Sequence, residues 1–270
     1  MRVLQTSVPR PGAPNEDFVL SSRTAVVVLD GAGMAPGIAT GCGHGVAWYV
    51  EQLGARLHAA AVREEAPLAD CLAEAIGSTA DAHRDTCAVD DPFSPSATVA
   101  AARVRAGLFE WLVLGDCTLV LEKDGKATAV TDDRLTHVAA KARQALAATA
   151  PDSEERRKAH QTLVRQERGL RNTPDGYWVA AADPQAAHHA LTGSEPATAI
   201  QRAALLTDGA ARLVTTFHTT DWNGLLDLLT HHGPRAAIHT IRETEHSDPH
   251  LKRWPRSKQH DDATIAHLHL

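Results

Sequence analysis

Thr24-Ala25-Val26-Val27-Val28-Leu29-Asp30-Gly31-Ala32-Gly33 carries an unbroken apolar run, Ala25 to Leu29, into an Asp-Gly pair. A short β-branched run that ends on a turn dipeptide predicts a strand buried on both faces. Such a strand delivers a carboxylate to the rim of a core, next to a residue without a Cβ. A charge at that edge is costly unless something pairs with it. A metal ion is one such partner. A plain surface turn is the other reading, because Asp-Gly is among the commonest turn pairs.

At 270 residues the chain can bury one large core or two modest ones. Its 43% hydrophobic and 22% charged content fits a soluble globular protein. A formal net charge of −6 argues against a general nucleic-acid binder and leaves room for an acidic pocket. Met1-Arg2-Val3-Leu4-Gln5-Thr6 lacks the apolar segment of a signal peptide. No apolar stretch approaches the roughly 20 residues of a membrane span, so no membrane partner is expected. Cys42, Cys71, Cys87 and Cys117 form no Cys-x-x-Cys pair, a spacing that fits a reducing cytoplasm.

From the core strand outward, Asp17–Ser21 predicts a short strand that forms a hairpin with it. A glycine-rich segment, Met34 to Gly45, precedes a helix with Val46, Val50, Leu53 and Leu57 on one face. A second helix is predicted over 67–84, with Pro67 in its first turn. Ser96–Arg105, Leu108–Leu114, Thr118–Glu122 and Ala127–Val130 then read as an antiparallel meander, the last pair joined by an Asp124-Gly125 turn. Residues 134–149 predict one alanine-rich helix, and 152–168 a charged surface helix capped by Asp152 with Glu155. Tyr177–Ala181 predicts a strand, 184–191 a short helix, and Ala203–Thr207 a buried strand ending in Asp208-Gly209. An amphipathic helix carries Trp222, Leu225, Leu226 and Leu229, a further one covers 234–245, and a strand closes the chain at 264–270. No repeat or convincing linker interrupts this, so a single domain over 1–270 is expected.

Asp30, Asp116, Asp208 and Asp261 each fall at or beside a predicted strand end. Meeting there, they would repel unless protonated or bridged by a cation. An all-oxygen ligand set suits Mg2+ or Mn2+ rather than zinc. Spacing alone does not establish that they converge.

In these stretches the chain resembles the metal-dependent protein phosphatases (PPM, protein phosphatase type 2C), in particular bacterial members. Asn15-Glu16-Asp17 resembles the first acidic motif and Asp30-Gly31-Ala32-Gly33 the Asp-Gly-x-Gly motif. Ser96-Ala97-Thr98, Gly115-Asp116-Cys117, Thr207-Asp208-Gly209 and Asp261-Asp262-Ala263-Thr264 resemble the later motifs, in family order. The resemblance implies an α+β fold of two packed antiparallel sheets flanked by helices on both sides. It implies hydrolysis of phosphoserine and phosphothreonine in proteins by a water bridging two metal ions, Mn2+ or Mg2+. Asp30, with the Gly31 carbonyl, and Asp208 and Asp261 would hold those ions and form the catalytic set. Asp116 would help hold a third ion, and Glu16 and Asp17 would lie in the outer shell. The partner is then a phosphorylated protein, met by a cytoplasmic monomer acting in signalling.

The chain departs from the family pattern at three places. The phosphate-gripping arginine is absent from its usual position, where Gly12 stands, and Arg10 is the nearest candidate. Ala32 stands where many relatives carry His or Met, and Met34 replaces a glycine, leaving His44 as a possible general acid against an ordinary helix-end histidine. The excursion at about 150–176 lies where the family carries a flap; its Arg156, Arg157, Lys158, Arg165, Arg168 and Arg171 would attract a phosphorylated partner or simply line a solvated face. Gly31-Ala32-Gly33 is a poor dinucleotide loop, since the third glycine, Gly37, comes late and Pro36 interrupts it. The rival of a different class is a catalytically weak or inactive phosphatase-fold module that binds phosphorylated partners.

Overall fold

The computed structural model describes residues 1–32, 40–63, 65–150 and 153–270 of the chain. It opens with β1 (Arg2–Val8), β2 (Asp17–Ser21) and β3 (Ala25–Gly31), followed by helices α1 (Gly45–Arg63) and α2 (Leu68–Asp81). A meander comes next, β4 (Ala97–Arg105), β5 (Leu108–Leu114), β6 (Thr118–Lys123) and β7 (Lys126–Val130). Helices α3 (Arg134–His137), α4 (Ala140–Ala147) and α5 (Glu154–Gly169) lead to β8 (Leu191–Pro196) and β9 (Arg202–Leu206). The chain closes with α6 (Asp208–Thr215), α7 (Trp222–His246) and β10 (Ala263–His269).

The strands form two five-stranded antiparallel sheets, ordered β1-β10-β9-β6-β7 and β2-β3-β4-β5-β8. β3 shows why they stack. Its residues from Ala25 to Leu29 are all fully buried, each burial of a valine or leucine contributing about 1.5–3 kcal/mol. Ala25, Val27 and Leu29 pack on Val46, Tyr49, Val50 and Leu53 of α1. Val26 and Val28, on the opposite face, meet Leu119 of β6, Leu205 of β9 and Ala266 of β10. The far face of that second sheet packs through Ala204, Leu206 and Ile265 against Leu213 of α6 and Leu225, Leu229 and Ile241 of α7. The layers therefore run helix, sheet, sheet, helix, as the resemblance implies.

Local chemistry sets the boundaries. Asp124 and Gly125 both adopt positive φ, 52° and 74°, the backbone of a type I′ hairpin, between β6 and β7. Pro67 directly precedes α2 instead of lying within its first turn. Ser153 caps α5 by accepting from the Arg156 N–H, 3.0 Å; Asp152, the predicted cap, lies outside the described residues.

Several expectations give way. The single helix over 134–149 is two pieces, because Ala139 enters the left-handed region at φ 55° and Val138 turns inward to Tyr177 and Val179. The Arg143 guanidinium secures that break by donating to the Val138 and Leu135 carbonyls, 3.2 and 3.0 Å. Tyr177–Ala181 is not a strand: Ala180 exchanges two 2.9 Å bonds with Ala97, and the Ala181 carbonyl accepts from the Tyr49 hydroxyl. The helix at 184–191 is a 3-10 turn, Pro184–His189.

α7 breaks at Gly233, just before Pro234, with φ 80° and ψ 169°, a region essentially reserved for glycine. A Cβ at Gly233 would touch nothing within 4 Å, so backbone strain and packing separate cleanly there. Gly233→Ala is expected to lower stability by about 1–3 kcal/mol, read as a lower urea midpoint at unchanged slope. An unmoved midpoint would show that the helix break carries no strain.

Candidate metal centre

Antiparallel pairing brings the acids to one edge. Asp30, near the end of β3, stands opposite Asp17 on β2 and Thr98 on β4. Asp116 occupies the β5–β6 turn, where Gly115 has φ 77° and a Cβ would lie 2.5 Å from Thr98 Cγ2. Asp208 begins α6 directly after β9, and Asp261 and Asp262 precede β10, the neighbour of β9. The Asp208 N–H reaches Asp30 Oδ2 at 3.4 Å, joining the two sheets at this edge. Gly209 makes room there, since a Cβ would lie 2.0 Å from the Asp262 carbonyl oxygen.

Thr207 is the polar hub of the edge. Its hydroxyl donates to Asp17 Oδ2 at 2.9 Å and accepts from the Thr264 N–H at 3.0 Å. Asn15 orients the turn before Asp17, accepting from the Asp17 N–H and donating to Ser7 Oγ. Among the described residues Asp17 Oδ1 is a buried oxygen with no partner.

The electrostatics report close approach. Desolvation pushes Asp30 well above the carboxylate range, and Asp208, Asp17, Asp116 and Asp261 add repulsion. Asp17 is raised by burial against the opposing bonds of Thr264 and Thr207. Burial with repulsion from Asp208 raises Asp116 to about 7. Desolvation would raise Asp208 too, but Arg212 and Lys258 outweigh it and hold it low. Asp261 is raised by burial and by Asp208, in spite of Lys258 and Arg212.

Three residues at this edge escaped the sequence reading. Arg212, buried on α6, donates to Asp261 Oδ2 at 2.7 Å and to Glu245 Oε1 at 2.6 Å. Lys258 donates to Asp261 Oδ1 at 2.6 Å, so both oxygens of Asp261 face cations of the chain itself. Asp262 accepts from the Arg10 N–H, the Arg10 guanidinium and the Glu16 N–H at 2.7, 3.0 and 3.2 Å. Arg212 lies four residues after Asp208, one helical turn, and that spacing was the available signal.

Arg10 thus stands beside the acids, bridging Glu16 and Asp262, with its side chain 29% exposed. His44 lies elsewhere in its contacts: its ring stacks on Trp48 and its Nδ1 faces the thiols of Cys42 and Cys87. Gly33 and Met34 of the predicted loop, with Pro36 and Gly37, lie outside the described residues. The cations of the excursion divide. Arg168, buried, holds Ser96 Oγ and the Ala32 carbonyl at 2.6 and 2.9 Å, and so fastens α5 to the segment just after Asp30. Arg171 ties the Ser94 and Asp91 carbonyls, and Arg156 those of Leu146, Arg256 and Ser257. These three hold the structure together instead of lining a solvated face; Arg157, Lys158 and Arg165 remain exposed.

Divalent cations fit this edge on the chemistry of its donors. The set is carboxylate oxygen, the choice of hard ions, and burial, with repulsion from neighbouring carboxylates added, holds Asp30, Asp17 and Asp116 above the usual carboxylate range. Lys258, with a side chain 47% exposed, is free to swing away on its long stem. A cavity of about 710 Å³ between α4, α5 and the 250–257 loop is lined by Leu146, Leu163 and Pro255 and by none of the acids.

Among the described residues no helix is long and apolar enough to cross a membrane. No curated protein matches the chain. Solved structures do. The catalytic domain of the serine threonine protein phosphatase PstP, in complex with two manganese ions, matches with TM-score 0.57 at 18% identity over 98% of this chain and 96% of its own. MsPP from Mycobacterium smegmatis, a PPM Ser-Thr phosphatase in complex with cacodylate, gives 0.54 at 19% identity, covering 100% and 98%. Stp1 from Staphylococcus aureus gives 0.57 at 11% identity, covering 99% and 94%. At such identities the likeness shows the shared fold. The family model described as Protein phosphatase 2C matches residues 5–254. With that match spanning nearly its whole length, the chain belongs to the protein phosphatase 2C family.

Proposed function

We propose that this chain is a Mn2+- or Mg2+-dependent protein serine/threonine phosphatase of the cytoplasm. The observation that carries the reading is the meeting of Asp30, Asp116, Asp208 and Asp261 at one edge of the sandwich. Asp30 with the Gly31 carbonyl, Asp208 and Asp261 would hold a pair of ions, Asp116 a further one, with Glu16 and Asp17 behind them. When bound, such ions supply a water of lowered pKa and offset charge on the phosphoryl oxygens.

The chain's own residues do the rest. Arg10 offers a guanidinium at the rim, held in place by Glu16 and Asp262, to orient the phosphate. Lys258 leaves Asp261 and pairs with the substrate phosphate. The leaving oxygen takes its proton from solvent; the contacts of His44 are with Trp48 and the thiols of Cys42 and Cys87, away from the acids' own partners. A groove of about 350 Å³, lined by Arg156, Arg157, His160 and Lys258, the last of which donates to Asp261, suits the flanks of a phosphorylated segment.

Hydrolysis of p-nitrophenyl phosphate and of a phosphothreonine peptide is expected with Mn2+ and not in EDTA. Asp208→Asn should cost at least about 100-fold, the upper end of what losing even an outer-shell partner costs. Arg10→Ala should raise KM about 10-fold or more with a smaller change in kcat, the worth of a charged hydrogen bond. No metal-dependent turnover in folded protein would overturn the reading. It would instead favour a phosphopeptide-binding module, which the pairing of both Asp261 oxygens with Arg212 and Lys258 supports.

Stability in EDTA should carry the same signature. Asp116 is raised to about 7, so the folded chain keeps a proton that the unfolded chain has lost above about pH 4. The unfolded state then binds fewer protons, and stability falls as pH rises from about 4 through about 7. Asp116→Asn removes this slope, so its thermal midpoint should gain on the wild type between pH 5 and pH 8. Parallel midpoint curves would contradict the placement of Asp116 among the acids.

A further inference from the structure

A chemically different cluster lies outside the carboxylate edge. Cys42 and His44 immediately precede α1, and Cys87 lies in the loop after α2. His44 Nδ1 stands 3.3 Å from Cys87 Sγ and 3.8 Å from Cys42 Sγ. These three atoms all lie within 4.8 Å of one another. A tetrahedral ion with bonds of about 2.3 Å to sulfur and about 2.0–2.1 Å to nitrogen sets such ligands about 3.6 Å apart. The two observed separations bracket that value.

The frame holding the trio is built from backbone and rings. The Ala88 N–H donates to the Gly41 carbonyl at 2.8 Å, pinning the loop after α2 to the residue before Cys42. A Cβ on Gly41 would come within 3.1 Å of Ala88 Cβ, so the two chains cross closely beside the sulfurs. Thr40 Oγ1 accepts from the Cys42 N–H and donates to the Cys42 carbonyl, and the Cys87 N–H donates to the His83 carbonyl at 2.9 Å. The His44 ring lies on Trp48 at 4.3 Å between centroids, and Trp48 meets His83 edge-on at 5.0 Å. His83 Nδ1 is committed to the Thr79 carbonyl at 2.7 Å, which makes that ring a wall of the site.

We propose that Cys42, His44 and Cys87 bind a borderline-soft divalent cation, zinc foremost, through two thiolates and Nδ1, with the fourth position open to water or an external ligand. Thiolate and imidazole select such an ion over Mg2+ or Mn2+. Both cysteines are half-buried and His44 is exposed, so an ion has access from solvent. The two thiols share their load unequally. Burial raises Cys42, whereas at Cys87 bonds from Cys42, the Gly43 N–H, His44 and Thr86 outweigh desolvation and bring it to about 7. Binding displaces the remaining thiol proton to solvent.

The test uses the full chain, reduced and stripped with EDTA, titrated with Co2+. Thiolate-to-cobalt charge-transfer absorption with intense tetrahedral d–d bands should saturate at one equivalent and be displaced by Zn2+. Cys87→Ser should abolish the charge-transfer intensity attributable to its sulfur, His44→Ala should weaken binding about 10-fold or more, and Asp208→Asn should leave the bands in place. Zn2+ should also slow alkylation of Cys42 and Cys87, mapped by mass spectrometry. Absent charge-transfer bands, bands that survive Cys87→Ser unchanged, or bands lost in Asp208→Asn would each overturn the proposal. So would oxidation of the two thiols to a disulfide in the presence of Zn2+ at the rate seen without it.

Discussion

Several carboxylates confined against one another at the edge of two apolar sheets are the constraint on which the surrounding structure depends. Two like charges about 4 Å apart repel by roughly 4 kcal/mol at an effective dielectric constant near 20. The chain answers with layers of opposite charge. Arg212 and Lys258 face Asp261, and behind Arg212 the fully buried Glu245 takes Arg242 and His260 as well, at 2.8 Å each. Alternating signs thus run inward from Asp261 to α7, pairing Asp261, Arg212 and Glu245 at close range. At the outer rim Asp262, Arg10 and Glu16 repeat the alternation on a smaller scale. Burial, with mutual repulsion added, leaves Asp30, Asp17 and Asp116 raised, a penalty that a bound cation would offset.

That confinement is a property of the sandwich and not of any one loop. Val26 and Val28 from one sheet and Leu205 and Ala266 from the other fix the distance between the layers. At the polar edge the same distance is spanned by Thr207, whose one hydroxyl serves Asp17 in the first sheet and Thr264 in the second. Gly209 lets the Asp262 carbonyl approach to where a side chain would stand. Arg168 adds a third fastening, from α5 to the Ala32 carbonyl, so the excursion is anchored next to the acid that ends β3. Packing and site geometry are therefore one problem: anything that spreads the sheets also spreads the acids.

The elements legible in the sequence were those whose own residues carry the signal. The valine run of β3, the helical stripe of Val46, Val50, Leu53 and Leu57, and the Asp124-Gly125 turn needed no tertiary information. Ordered motifs at strand ends pointed to the acids. Elements defined by their neighbours were not legible. β1 and β8 are edge strands with half-exposed residues, α6 follows the acid turn at once, and Tyr177–Ala181 has strand composition but spends its main-chain bonds on Ala97 and Tyr49. The cations at the site were hidden for a similar reason. Nothing in the composition of 150–176 separates Arg168, buried against Ser96, from the exposed Arg165. Lys258 read as one charge in a basic loop, and only the folded chain turns it toward Asp261.

The acids and the Cys42–His44–Cys87 cluster differ in chemical softness. Hard oxygen donors suit Mg2+ or Mn2+, whereas two thiolates and an imidazole favour zinc. If both proposed sites hold metal, zinc in limiting amount would go first to the sulfur site and leave the oxygen site to manganese or magnesium. The same ordering says what fails when zinc is in excess. With the soft ligands filled, further zinc would compete for the carboxylate edge, because the general affinity order places it above manganese. A chain holding both kinds of site would discriminate between metals by the sequence in which they fill, although neither site would exclude the wrong ion alone.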